Sequence, residues 1–316
     1  MVERMPKQIN ITVRMERSLP PEAVVFIKQA VTLAGSKNLP LYLVGGIVRD
    51  LLLGQTNSNL DLDLVVEGDA VGLAGEFAEK TGGKLSAHLM FNTAKIVLGK
   101  WTIDIAMART ETYAKPGALP VVIPGTIKTD LFRRDFTVNA LAICLNPDKY
   151  GELIDLNGGM KDLNSKFIHI LHENSFIDDA TRIWRAIRYE HRLGFQIEPD
   201  TLRLLERDVP LLKTVGGYRL RRELELVLKE KEPEKALLRA DKLGVLTELH
   251  PSLKADEWLV SKYRAARESS DATPDFYLGL LTCRLTDDEI AQIIKYLRFS
   301  REQVRIMREI RENYIR

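Results

Sequence analysis

The sequence predicts an α+β chain: an N-terminal head with a small mixed β-sheet and helices, followed by an all-α neck and body. Three observations carry that prediction. Short apolar runs bounded by Gly alternate with helix-period segments over the first 128 residues, helix-period segments then run to the C-terminus, and Asp155-Leu-Asn-Gly-Gly159 reads as a turn between the two regimes. With 316 residues and 45% hydrophobic content, the chain can bury more than one core.

Pro20-Pro21 opens an amphipathic helix over residues 21–38, where Val24, Val25, Ile27 and Ala30 or Val31 recur at helical spacing and Gly35 with Asn38 supply the stop. Leu41–Val44 is a short apolar strand halted by Gly45-Gly46, after which residues 47–53 are helical and Gly54 breaks the pattern. A polar loop at 55–59 leads into residues 60–66, which alternate with period two before running apolar. A helix over 70–80 stops at Gly82-Gly83, and three strands follow at 84–89, 94–98 and 101–106. Pro116, Gly117, Pro120, Pro124 and Gly125 make residues 109–128 a long loop, a length usually tied to function. From Asp130 onward the pattern is predominantly helical. These patterns give a head at 1–158, a neck at 159–230 and a body at 231–316.

Composition narrows the possible roles. The net charge of +2 says little, but residues 182–222 hold nine Arg and one Lys against five acids, a local excess of +5 that suits a phosphate-rich partner. The same row would also serve as a solvated helix face with i,i+4 pairs. No apolar run approaches the roughly 20 residues of a membrane span, so no membrane partner is expected. The segment 1–20 sets Arg4, Lys7, Arg14 and Arg17 among polar residues without the apolar core of a secretory signal, and a cytoplasmic address is expected. Cys144 and Cys283 lack disulfide or zinc spacing and are expected as buried thiols, while His169 and His172 are expected to be structural or solvated.

The chemistry concentrates on two acids. Asp61 and Asp63 stand two apart on a strand, so both side chains leave the same face and repel each other unless a cation lies between them. Mg²⁺ prefers such oxygen ligands, and two ions would activate an attacking hydroxyl and stabilise a leaving oxygen. Asp104, in Thr102-Ile-Asp-Ile105, offers a third carboxylate from a neighbouring strand. An Asp-x-Asp alone commonly marks solvated acids; its setting decides here. Val44-Gly-Gly-Ile-Val-Arg-Asp50 is a strand, two glycines and a helix start, an arrangement that lets backbone N–H groups approach phosphate, with Arg49 adding a charged donor.

Leu43-Val-Gly-Gly-Ile-Val-Arg-Asp-Leu-Leu-Leu-Gly54, Asp61-Leu-Asp63 and Arg133-Arg-Asp-Phe-Thr-Val-Asn-Ala-Leu-Ala142 together resemble the class II tRNA nucleotidyltransferase and bacterial poly(A) polymerase family of the polymerase-β superfamily. Asp178-Asp-Ala-Thr-Arg-Ile-Trp-Arg-Ala-Ile-Arg188 with Arg192-Leu-Gly-Phe195 looks like that family's nucleotide-selecting neck helix, so the resemblance covers about residues 40–230. It implies a nucleotidyltransferase head and template-independent addition of C and A, from CTP and ATP, to the 3′ end of tRNA, with pyrophosphate released. The implied cofactor is Mg²⁺, two ions, and no protein partner is implied. Carried onto this sequence, the resemblance places Gly45, Gly46, Arg49 and Asp50 at the triphosphate. It gives Mg²⁺ to Asp61 and Asp63 with Asp104 beside them, and the ribose and phosphates to Arg133, Arg134, Asp135 and Asn139. Asp179, Arg182, Arg185 and Arg188 would line the nucleotide pocket.

A carboxylate accepts from the exocyclic amine of C or A, and an adjacent Arg donates to the neighbouring ring acceptor, so U and G are disfavoured. The four pocket residues recur every three positions, and a helix turning about 100° per residue slips such a stripe by roughly 60° per step. Asp179 and Arg182 are therefore the expected base readers, leaving Arg185 and Arg188 for phosphate contacts or packing. Within the family, loss of the loop at 109–128 accompanies CC-only addition; its presence leans toward complete CCA or terminal A addition. A poly(A) polymerase is disfavoured because no Gly-Arg-Arg-Phe-like sequence occurs around residues 87–95, and a silent RNA-binding scaffold has no need of clustered carboxylates. One departure stands out: Gly216-Gly-Tyr-Arg-Leu-Arg-Arg-Glu-Leu-Glu225 resembles a family motif that usually carries an acid where Tyr218 stands.

Overall fold

The computed structural model describes residues 9–55, 61–269 and 272–314. Arg4, Lys7, residues 56–59 of the polar loop and Leu60 lie outside the described residues. The chain divides into two compact units, one formed by the residues up to Thr112 with Pro120–Ser165, the other by Tyr113–Leu119 with the residues from Lys166 onward.

The first unit is built on a seven-stranded mixed sheet. Its strands are β1 (Leu41–Val44), β2 (Asp61–Val66), β3 (Lys84–His88), β4 (Thr93–Leu98), β5 (Trp101–Met107), β8 (Leu141–Cys144) and β9 (Leu153–Asp155), in the order β3-β4-β5-β2-β1-β8-β9. Only β2 and β5 run parallel; the other neighbours are antiparallel. Helices α1 (Thr12–Ser18), α2 (Pro21–Ser36), α3 (Gly46–Leu53), α4 (Ala70–Thr81), α5 (Ile127–Phe132) and α6 (Gly159–Ser165) complete the unit. The helix α4 starts where Asp69 accepts from the Gly72 amide, a side-chain cap that satisfies one free donor. It packs on β3, β4 and β5 and buries Leu73 and Phe77, each worth about 1.5–3 kcal/mol of apolar burial. Tyr42, Val44, Val65, Ala142 and Cys144 form a cluster with Ala108, Ile127 and Leu131. Along β2, Leu62 and Leu64 are buried while Asp61 is exposed and Asp63 half-buried, so period two turns both acids away from the core.

Two expectations are corrected here. Residues 109–128 are not a plain loop: β6 (Arg109–Thr112) and β7 (Val121–Pro124) pair as an antiparallel ribbon. The prolines that suggested a loop sit before β7 and at its last residue, places a two-stranded edge tolerates. The chain is also not purely helical after Asp130, because β8 and β9 extend the sheet. Leu141-Ala-Ile-Cys144 is buried throughout and so lacks the alternation that marks a strand.

The second unit is helical apart from β10 (Phe167–Ile168) and β11 (Gln196–Ile197), a two-residue parallel pair. Its helices are α7 (Ser175–Asp178), α8 (Thr181–Leu193), α9 (Pro199–Asp208), α10 (Gly217–Leu228), α11 (Pro233–Lys242), α12 (Val245–Leu249), α13 (Glu257–Glu268), α14 (Pro274–Thr282), α15 (Asp287–Leu297) and α16 (Arg301–Tyr314). Trp184, Phe176 and Tyr263 are fully buried, and the Tyr263 hydroxyl donates to the Tyr277 carbonyl at 2.6 Å while the two rings stack at 4.4 Å. Cys144 and Cys283 are free buried thiols. No described helix is long and apolar enough to cross a membrane.

Candidate active site

The site grows from the end of β1. Gly45 has φ +76°, a conformation that side chains disfavour, and it turns the chain directly into α3. A Cβ at Gly45 would lie 3.3 Å from Arg134 Nη1 and 3.5 Å from Asp63 Oδ2. The glycine turn, a guanidinium and a carboxylate therefore meet at one point. Register supplies the rest: β2 and β5 place Asp63 beside Asp104 and Asp61 beside Thr102, and β4 places Lys95 beside Asp104. Paired positions share a face, so Asp61, Asp63, Asp104 and Lys95 project together, with Lys95 Nζ 2.6 Å from Asp104 Oδ2.

Burial pushes the Asp63 carboxyl up from its ordinary 3.8 to about 6, with Asp104 and Asp61 adding to the rise and Arg134 and Lys95 opposing it. Asp61 and Asp63 offer the oxygen donors a hard divalent cation takes, while Asp104 is engaged by Lys95, and no group of three or more His, Cys, Asp or Glu side chains among the described residues is gathered to hold a metal ion.

Arg134 is propped from behind. Its Nε and Nη2 donate to Asp130 Oδ2 at 3.2 and 2.8 Å, while Arg133 donates to Asp130 Oδ1 and to Glu111. Burial alone would raise the Asp130 carboxyl, but the guanidinium groups of Arg134 and Arg133 outweigh it and hold it below the ordinary range. Arg49 is 4% exposed and folds back on its own helix start. Its Nε donates to Asp50 at 2.8 Å and its Nη1 to Asn139 Oδ1 at 2.6 Å, and Asn139 in turn donates to Asp135 at 3.1 Å. A Cβ on Gly46 would press on Arg49 Nη2 at 3.4 Å. The structure thus gathers Gly45, Asp61, Asp63, Asp104 and Arg134 into one cluster, and Gly46, Arg49, Asp50, Asp135 and Asn139 into a network. Arg133 is turned toward Glu111 and Asp130 instead.

In the second unit, Asp179 lies outside the helix that carries the arginines. The helix α8 begins at Thr181, and Asp179 is extended before it, accepting from the Thr181 amide and hydroxyl at 3.0 and 2.7 Å. The expectation that all four pocket residues share one helix therefore holds for Arg182, Arg185 and Arg188 but not for Asp179. Arg182 and Arg188 are buried; Arg188 lies 3.7 Å from Glu230 and 4.8 Å from the Tyr189 ring centre, and Arg185 lies 5.6 Å from that centre. The cation bound to Asp179 is Arg219, at 2.9 Å from both oxygens.

Sequence reading missed Lys95, Asp130, Glu111 and Arg219 as members of these clusters. Lys95 was recoverable, because Ala94 and Ile96 alternate with it and any strand paired in register with Thr102-Ile-Asp-Ile105 would bring it to the acids. The others carry no local signal.

The chain matches two protein families: Poly A polymerase head domain over residues 41–169, and "Probable RNA and SrmB-binding site of polymerase A" over residues 194–257. An A-adding tRNA nucleotidyltransferase of Geobacter sulfurreducens is 45% identical over 76% of this chain, and one of Aquifex aeolicus is 43% identical over 74%. Those stretches span only 27% and 28% of the two relatives, so the chain corresponds to about a quarter of their length. A solved structure of a CCA-adding enzyme in an apo form is 35% identical with a TM-score of 0.84, covering 98% of this chain and 75% of that one.

Proposed function

The chain belongs to the class II tRNA nucleotidyltransferase family, and from that premise we propose that it transfers a nucleotide from a nucleoside triphosphate to the 3′ end of a tRNA, releasing pyrophosphate. The observation that carries the reading is the meeting of Asp63, Arg134 and the Gly45 turn, which sets a carboxylate cluster against a phosphate-binding turn. The family implies use of a divalent metal. In this chain Asp61 and Asp63, with Asp104 adjacent, would hold Mg²⁺ as two ions, which when bound would activate the 3′-hydroxyl and offset charge on the leaving oxygen. The protein's own groups bind and orient. The Gly46 N–H and the Arg134 guanidinium take triphosphate oxygens, the Gly45 N–H donates to the Leu141 carbonyl and so fixes the turn, and Arg49, steadied by Asp50, Asn139 and Asp135, fixes the wall beside them. Positioning and charge stabilisation supply most of the rate. Asp179 with Arg182 selects the base, Arg185 and Arg188 pack or meet phosphate, and Arg133 acts through Asp130.

The specificity we assign is terminal A addition from ATP. The two relatives at 45% and 43% identity are named A-adding, and the segment at 109–128 is a formed ribbon. Complete CCA addition from CTP and ATP is the second reading, favoured by the likeness to a CCA-adding enzyme over 98% of the chain. Incubation with tRNAs ending before the first C, the second C or the terminal A, each with CTP, ATP or both, separates them. A-adding activity extends only the last with ATP alone. Asp61→Ala and Asp63→Ala should abolish extension with the fold intact; undiminished extension would remove the metal assignment.

A further inference from the structure

The second unit carries a cationic face next to an exposed aromatic ring; Lys213 and Tyr218 lie within the stretch 194–257 that matches the RNA-binding family, and Tyr218 adjoins Arg219 in sequence, but neither has been given a role above. Lys213, Gly216, Gly217, Lys295, Tyr296 and Arg298 line an open cleft of about 630 Å³. Lys213, Lys295 and Arg298 are exposed there, and Lys295 and Arg298 form no ion pair with a carboxylate among the described residues. One acid tempers the group: Glu248 lies 3.3 Å from Lys213 Nζ. Three cations against one carboxylate leave the cleft positive.

The cleft is a built feature. A Cβ on Gly217 would overlap the Tyr296 carbonyl oxygen, so the start of α10 is seated directly on the end of α15. That contact holds the residue after Gly217 in place. Tyr218 is 53% exposed, and the Arg221 guanidinium lies 5.0 Å from its ring centre. Arg221 Nη1 also donates to the Arg298 carbonyl, tying the ring to the cleft wall, and its Nε lies 3.3 Å from Glu225. One face of Tyr218 is therefore braced by a cation, and much of the ring remains open.

An exposed Tyr alone means little, since apolar atoms cover much of any protein surface. Its position beside a row of cations is what carries weight. Phosphates of a nucleic acid strand supply the negative charge that Lys213, Lys295 and Arg298 would take, and an open aromatic face is the platform on which an unpaired base stacks. An acidic protein segment would satisfy the cations but make no use of a braced ring. We propose that this face binds an unpaired nucleotide of an RNA, with its base on Tyr218 and the flanking phosphates on Lys213, Lys295 and Arg298. This deepens the tRNA reading and rests on it.

The test uses the 316-residue chain and a fluorescently labelled tRNA transcript lacking its terminal A, with Kd measured across a salt series. Tyr218→Ala raises Kd about tenfold and Tyr218→Phe restores it, because stacking needs the ring and not the hydroxyl. Lys295→Gln with Arg298→Gln lowers the slope of log Kd against log salt by about one to two. A Tyr218→Ala Kd within about twofold of wild type, in protein that still extends tRNA, overturns this inference and leaves the proposed function standing. Loss of poly-glutamate binding in the double variant, with tRNA Kd unmoved, also overturns it and assigns the face to an acidic protein. Wild-type protein that binds tRNA with the predicted variant effects yet extends none sinks the proposed function instead.

Discussion

Arg219 Nη2 lies 2.9 Å from each carboxylate oxygen of Asp179, a residue 40 positions earlier in the chain. Oδ1 also accepts from the Thr181 amide and hydroxyl, so it is fully occupied, whereas Oδ2 takes Arg219 alone among the described residues and keeps a lone pair for an exocyclic amine. In the proposed function, where Asp179 reads the base, Arg219 is its positioning residue. Arg219→Ala should lower the preference for ATP over GTP about tenfold or more in kcat/KM, with Arg219→Lys recovering part of it. Single-nucleotide incorporation assays with each triphosphate decide the matter; an unchanged ratio removes Asp179 from base selection.

Asp130 supports the head from beneath the site. It is fully buried and takes both Arg133 and Arg134, so Asp130→Ala removes the carboxylate under Arg134 while Arg133 keeps Glu111, and should cost about 3–5 kcal/mol. The pH dependence has a definite sign. Because the folded carboxyl titrates below its unfolded value of 3.8, its contribution is complete above that value and fades as pH falls through the folded one. Urea midpoints of wild type and Asp130→Ala, measured at about pH 7 and about pH 3, should converge at the acid end. Equal gaps at both pH values would contradict the ion-pair account.

Much of this architecture was legible in residue order. Period two along 60–66 put Asp61 and Asp63 on one face, and the Gly45-Gly46 break after an apolar run marked the strand-to-helix turn that the acids approach. Other parts were hidden for physical reasons. Leu141–Cys144 sits inside the sheet with both faces covered, which erases the alternation a strand shows when one side meets water. The β6–β7 ribbon carries its prolines at the flanks of a strand that pairs on one edge only, so breaker density mimicked a loop. Arg219 was readable as a basic residue but not as the partner of Asp179, because that pairing depends on how α10 packs against α8. Asp179 itself looked helical by spacing, yet its Asx-type bonds to Thr181 end one helix and begin the next.

Gly45 is where a single methyl should do damage. At φ +76° an alanine is strained by about 1–2 kcal/mol, and its Cβ would press on Arg134 Nη1 and Asp63 Oδ2 at 3.3 and 3.5 Å. Gly45→Ala should therefore lose more than about tenfold in kcat/KM, as misplacing reacting groups by a fraction of an ångström does. Gly75→Ala is the matched control. It lies within α4, a Cβ there meets nothing within 4 Å, and the substitution should stabilise by about 0.5–1 kcal/mol with activity unchanged. Equal activity loss in both variants would mean that the Gly45 turn has no special place in the site.

The raised Asp63 carboxyl reflects burial first, with repulsion from Asp104 and Asp61 added, so its ionisation carries a cost that a bound cation would offset. It titrates near 6 in the folded chain against 3.8 in the unfolded one, so the folded state holds the proton more tightly. Ionisation therefore costs stability as pH rises from about 4 to 6, and the full penalty is present above that window. Asp63→Asn removes the charge. In EDTA the variant should exceed wild type by on the order of 2 kcal/mol at about pH 8, with the difference vanishing toward about pH 4. Adding Mg²⁺ at the higher pH should reverse the order, because binding to the folded state stabilises wild type while the variant has lost a ligand. Chemical denaturation at the two pH values, with and without Mg²⁺, measures each of these differences. If the Asp63→Asn variant is no more stable than wild type in EDTA at the higher pH, the carboxylates are already balanced by Arg134 and Lys95 and the site has no unmet need for a metal.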